Sequence, residues 1–175
     1  MHTDRNEGVK RTVVEQPNIH SDTLHAMHID DDEWIRKYVA KHPNTHPDTL
    51  HAMHTDGSVY VRRRVAEHPN THPDTLHAMH TDDEVKIAVA GHPNTQSDTQ
   101  HALHNNFHVR PYVARNPNTH PKTLHALHTD GNERVRLHVA NHPNTGHDTL
   151  HVLSTDGDEK VSNAAKEALK KKGLL

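Results

Sequence analysis

Apolar positions come in two short bursts that alternate along the chain, each bounded by polar residues. In "TDDEVKIAVAGHPN", Thr81 to Asn94, the residues Val85, Ala88 and Val89 fall at helical spacing and share one face. Thr81 or Asp82 stands where an N-cap belongs, acids follow in the first turn, and Gly91 and Pro93 stop the helix. The next burst, "NTHPDTLHAMH" from Asn44 to His54, predicts a second helix of about two turns. Thr45 serves as its N-cap, Pro47 is tolerated in the first turn, Asp48 complements the dipole, and Leu50 and Met53 point inward. A helix that short does not persist alone.

The same two bursts return along the whole chain. "HPNTHPDTLHAMHTD" occupies His42 to Asp56 and recurs unaltered from His68 to Asp82. The marker prolines Pro17, Pro43, Pro69, Pro93, Pro117 and Pro143 are separated by 26, 26, 24, 24 and 26 residues. The two shorter units lose residues at one place: "TDGSVYVR" (Thr55 to Arg62) becomes "TDDEVK" (Thr81 to Lys86) and "NNFHVR" (Asn105 to Arg110). Length variation confined to one site marks a loop. Neither helix of a unit can bury its stripe without neighbours, so the pattern predicts an all-α solenoid of about six 24–26-residue repeats, each a pair of short helices.

The expected organisation is a single repeat domain over 1–175: a half-repeat at 1–16, repeats at 17–160 and a capping helix at 161–175. In the cap, Ala164, Ala168 and Leu169 share a side and lysines follow at the end. The opening "MHTDRNEGVKRTVVEQPN" aligns with the segment from Met53, so the chain starts halfway through a unit. Two readings stand for that edge: the first helix, Glu7 to Glu15, is itself a polar cap, or a further copy or upstream segment covers it, head to tail in a filament.

Composition narrows this picture. Only 31% of residues are hydrophobic, 3% are aromatic and the mean hydropathy is -0.98, so the core must be thin. The absence of cysteine excludes disulfides, thiolate metal sites and cysteine nucleophiles. A formal net charge of -3 gives no general attraction for nucleic acid or anionic lipid. No apolar run reaches the ~20 residues that span a bilayer, and the polar opening has no secretory h-region, so a soluble protein is expected, its compartment left open.

Histidine is the anomaly, with 23 copies. Five short helices carry HxxH: His25/His28, His51/His54, His77/His80, His101/His104 and His125/His128. Residues three apart share a helical face, so each pair offers two nitrogens to Zn, Ni or Cu, with His46, His72 or an adjacent repeat as the further ligand. The competing reading is a duplicated surface residue that hydrogen-bonds loop carbonyls, and no cofactor is required by it. Rows of imidazoles also predict mutual depression of their pKa values, and hence stability that rises with pH near ~6.5.

Two charged rows accompany them. Lys10, Arg36, Arg62, Lys86, Arg110 and Arg136 take one position; Asp4, Asp30, Asp56, Asp82, Asn106, Asp130 and Asp156 take another. A capping acid with an ion pair inside or between repeats is the expected meaning, a phosphate-binding stripe the alternative. Trp34 and Tyr60 share a position held by Arg134 elsewhere, read as an exposed loop site and a partner anchor. "HTD" and "SDT" recur at every turn without the asymmetry an active site needs, so no enzyme is expected.

The stretch "VRRRVAEHPNTHPDTLHAMHTD", Val61 to Asp82, resembles the leucine-rich repeat variant family, with its valine–arginine pair, VA pair, Asn–Pro, Thr–Pro and two-leucine helix ending in aspartate. The resemblance covers essentially the whole chain and implies alternating α- and 3₁₀-helices in a right-handed, strand-free superhelix akin to HEAT-like arrays. Relatives with an attached iron–sulfur domain imply no cofactor for a cysteine-free chain. The departures are His42, His68, His92 and His142 in place of the family's Asn before proline (Asn116 retains it). His54, His80, His104 and His128 replace its small Ala after the second core leucine, which places imidazole at the core margin. The expected function is a non-enzymatic scaffold for protein–protein interaction or self-assembly. A multivalent metal binder and a filament subunit stand as alternatives.

Overall fold

The computed structural model describes residues 3–174, without the side chains of residues 3–5. Met1, His2 and Leu175 therefore lie outside the described residues, as does the side chain of Asp4, the first member of the acid row. The helices are α1 (Thr3–Val14), α2 (Ser21–Met27), α3 (Glu33–Lys41), α4 (Pro47–Met53), α5 (Val59–Glu67), α6 (Pro73–Met79), α7 (Lys86–Gly91), α8 (Ser97–Leu103), α9 (Arg110–Arg115), α10 (Pro121–Leu127), α11 (Glu133–Asn141), α12 (His147–Leu153) and α13 (Glu159–Lys171). No strand occurs among the described residues, and no helix there is long and apolar enough to cross a membrane. Two compact units divide after Val89, inside α7. In the first, α3 packs against α1 and α5; in the second, α11 packs against α9 and α13, and α13 also covers α12.

The longer helices start two residues later than the pattern proposes, past the acid row to which Asp82 belongs. Asp32, Ser58, Asn132 and Asp158 accept the backbone N–H two residues on, which satisfies one of the orphan donors of α3, α5, α11 and α13. Their buried faces are narrow: Ile35, Val39 and Ala40 in α3, Val61, Val65 and Ala66 in α5, Val135, Val139 and Ala140 in α11. Where the loop is two residues shorter, Asp82 opens a tight turn in which Val85 and Lys86 both donate to its carbonyl at 3.1 Å, and α7 starts only at Lys86. Val85 and Val89 are buried there as expected, but Ala88 is only half-buried. The capping helix begins at Glu159 rather than 161, and buries Val161, Ser162, Ala165 and Leu169; Ala164, expected inward, is half-buried.

The shorter helices correct the expected cap. His46, not Thr45, is the N-cap of α4: its Nδ1 accepts the Asp48 N–H at 3.3 Å, and Pro47 takes the first helical position, where no donor is needed. His72 and His120 repeat this arrangement, and His20 caps α2 in the same way with Ser21 in the proline's place. Thr45 instead turns inward, wholly buried, and its hydroxyl donates to the Val39 carbonyl at 2.5 Å, at the end of α3, where that oxygen also accepts the His42 N–H. Thr71, Thr119 and Thr145 do the same for Val65, Val113 and Val139. Leu50 and Met53 are buried, as are Leu76 and Met79. These seven-residue elements are α-helical where the family resemblance implies 3₁₀, and tightening is confined to their ends, as in the His54 N–H bond to the His51 carbonyl.

Candidate functional site

The residue before each marker proline forms a buried spine. His42 is 7% exposed, His68 4%, His92 5%, Asn116 3% and His142 5%. In His42 the Nδ1 accepts the Asn44 N–H at 3.1 Å while Nε2–H donates to the Gln16 carbonyl, 26 residues earlier, at 3.1 Å. His68 accepts from Asn70 at 3.0 Å and donates to the His42 carbonyl at 2.9 Å. In the second unit Asn116 donates to the Ala90 and His92 carbonyls at 2.8 Å each, and His142 donates to the Asn116 carbonyl at 2.8 Å. A second ladder runs beside it: Asn44, Asn70, Asn118 and Asn144 each donate to two carbonyls of the preceding turn. Burial, partly opposed by the bond to the Asn116 carbonyl, holds the His142 imidazole below the usual histidine range.

The five HxxH pairs are brought together, but as stacks. Their ring centroids lie 4.7–4.9 Å apart with planes 18–26° from parallel. The second ring of each pair is half-buried, at the core margin as the departure from the family implies, and its Nδ1–H donates to the carbonyl of the first. The Nδ1 of His25, His51, His101 and His125 is hydrogen-bonded at 2.9–3.0 Å to a threonine hydroxyl in the next short helix, Thr49, Thr75, Thr123 and Thr149 respectively. His46 and His72 cap the opposite ends of their helices, so neither joins its pair. Among the described residues no group of three or more His, Asp or Glu is gathered as for a metal ion.

The charged rows pair between repeats, resolving the choice left open by the sequence. Arg36 binds Asp56 at 2.7 Å, Arg62 binds Asp82 at 2.5 Å, Arg110 binds Asp130 at 2.8 Å and Arg136 binds Asp156 at 2.7 Å, while Lys10 reaches Asp30 at 2.5 Å. The second oxygen of each acid caps the following turn, as when Asp56 accepts the Ser58 N–H at 2.8 Å. Lys86 pairs within its own turn, with Asp83. Burial pushes the Asp56 carboxyl up, but the Arg36 bond, the Ser58 N–H and the nearby guanidinium charges outweigh it and hold the group below the usual carboxylate value. Asp30 and Asp82 follow the same balance, and in Asp156 the Arg136 bond is the leading cause.

Trp34 and Tyr60 sit in the first turns of α3 and α5, not in loops, a correction that follows from Asp32 and Ser58 acting as caps. Tyr60 is 61% exposed. Trp34 is half-buried and stacks on Tyr38 at 3.9 Å, with the Arg11 guanidinium 5.1 Å from the Trp34 ring centre; Arg11 is itself held by Asp32 at 2.7 Å.

Comparison with solved structures matches 93% of the chain to one described as a leucine-rich repeat variant with a novel repetitive protein structural motif, at a TM-score of 0.68 and 24% sequence identity. The chain has the leucine-rich repeat variant fold. It spans 66% of the length of that matched chain. No family model matches the sequence, and no curated protein matches it either.

Within the leucine-rich repeat variant fold, the His-for-Asn exchange keeps the bonding of the turn. The imidazole Nε2–H and Nδ1 of His142 do the work of the Asn116 amide N–H and Oδ1, which accepts the Asn118 N–H at 3.0 Å. The sequence shows that exchange but not its burial, because the flanking Pro and Asn are turn formers common at the surface. The recurrence of one residue type before proline was the available signal.

Proposed function

We propose that this repeat array is a non-enzymatic scaffold that holds another protein against the first turns of its longer helices. One observation carries the reading. The side chains that repeat are taken up by bonds between or within turns, whereas surface positions change from repeat to repeat, among them the one held by Trp34, Tyr60 and Glu84 in the first unit and by His108, Arg134 and Lys160 in the second. A constant frame that displays varied side chains is the chemistry of recognition. Nothing equivalent favours catalysis, since the candidate acid–base groups recur with the same bonding in successive turns.

A photo-reactive residue placed at 34 or 60, with another at exposed Glu167 on α13, tests it. Cross-links to a recovered partner should form at 34 and 60 and not at 167. Trp34→Ala should weaken that association by roughly tenfold or more, with the melting midpoint little changed. Equal cross-linking at 167, or undiminished affinity of the variant, rejects this surface. Cross-links between identical chains would replace the outside partner by a second copy.

A further inference from the structure

We propose that the buried imidazoles of the turn spine are an acid-release device: protonation at their Nδ1 atoms uncouples a repeat from the one before it within its unit. The bonding partners fix the protonation state. A backbone N–H can only donate, so Nδ1 of His42, His68 and His142 must carry a lone pair; a carbonyl can only accept, so Nε2 must carry the hydrogen. An added proton therefore arrives at Nδ1 and sets one N–H against another. The imidazolium must break the turn bond or swing out, and swinging out also takes Nε2 from the preceding repeat. Each ring is at least nine-tenths buried, so solvent does not relieve the charge in place.

The surrounding charges are sparse and mixed. Glu15, at the end of the first longer helix, and Lys41 and Tyr38 of α3 line the groove beside His42. Lys41 and Glu67 end the helices that lead into the His42 and His68 turns. At His142, Lys172 approaches from the end of α13 to bind the Pro143 carbonyl at 2.9 Å, and Arg115 precedes the Asn116 carbonyl. Neither His42 nor His142 has a carboxylate within ion-pairing distance among the described residues. A protonated ring at either place thus finds no anion to hold it.

For His142 the sign is direct. Its folded value lies below the ordinary one, so the unfolded chain takes up the proton first. The stabilisation is complete above about 6.5 and is lost as pH falls through the lower folded value. Asn116 shows that a group without a titrating nitrogen fits the same place, with its amide donating to two carbonyls and its oxygen accepting the Asn118 N–H.

That natural control supplies the experiment. Thermal midpoints between pH 8 and 5 are compared for the native chain and a variant with His42, His68, His92 and His142 all changed to Asn. The native midpoint should fall below about pH 6.5, and the variant should lose at least half of that fall. After correction for intrinsic rates, Asn44 and Asn144 amide exchange in the native chain should quicken by roughly tenfold over the same interval. Replacing exposed His25, His51 and His125 by Asn should leave most of the fall in place. If the fourfold variant does not fold, His42→Asn alone is read through the Asn44 amide. A fall undiminished by the spine substitutions overturns the proposal, as does nitrogen NMR that finds hydrogen on Nδ1 of the spine histidines at neutral pH.

Discussion

Gln100 occupies the core position that Leu24, Leu50, Leu76, Leu124 and Leu150 hold in the other repeats, and it is wholly buried. Its Nε2 donates to the Ala90 carbonyl at 2.8 Å, but Oε1 has no partner. A buried acceptor left unmade costs more than a formed bond returns, and the Ala90 carbonyl would keep its bond from Asn116 if the amide were removed. Gln100→Leu should therefore stabilise the chain by about 1–2 kcal/mol, read as a higher denaturant midpoint with an unchanged slope. A lower midpoint would mean that the amide is satisfied in solution. At this scale the sequence was readable where a side chain faces the apolar stripe: Leu50, Met53, Val85 and Val89 are buried as the spacing requires. It misled where polar side chains compete for the same backbone groups, and Thr45 and His46 exchanged roles because threonine's short hydroxyl reaches the carbonyl at the end of α3 while imidazole spans to the Asp48 N–H.

The short helix sets what the HxxH pairs can do. Spacing puts both rings on one face, and this much was legible. The rings stack with Nδ1 of His51 bonded to the Thr75 hydroxyl and Nδ1 of His54 to a carbonyl, so a pair has two Nε2 atoms to offer an ion, fewer than a tetrahedral site needs. Zinc added to metal-stripped protein should consequently show no saturable micromolar binding that depends on His51 and His54. Calorimetric titration of the native chain and of His51→Ala checks this; a micromolar site lost in the variant would restore the metal reading. The pairing register of the charged rows was not legible at all. In each of these repeats the arginine bridges two loops, donating to the backbone carbonyl of its own acid and to the carboxylate 20 residues ahead, because the own acid's side chain is turned to cap its loop.

Within each of the two units, pairs of helices lean on their neighbours through ladders rather than a thick core, and stability in such arrays is a sum over repeats and interfaces. The carboxylates of Asp30, Asp32, Asp56, Asp82 and Asp156 are all held below the ordinary value. Their contribution is present above the unfolded value near 3.9 and is lost as pH falls through the folded values, below about pH 4. This acid limb is separate from the histidine one. Asp56→Asn should flatten part of it while sparing the turn, since Asn106 caps its own turn without a charge by accepting the His108 N–H at 3.0 Å. Asp56→Ala, which removes cap and ion pair together, should be the more destabilising at pH 7, and equal losses would show that the cap carries the effect of neither substitution. What the sequence determined by itself was the repeat, its helix pair and its apolar stripe, because period, proline placement and residue volume act locally. Only the tertiary structure decided which histidines are buried, which acid each arginine meets and which partners the ring nitrogens take, because those depend on which backbone groups the stacked repeats bring within reach.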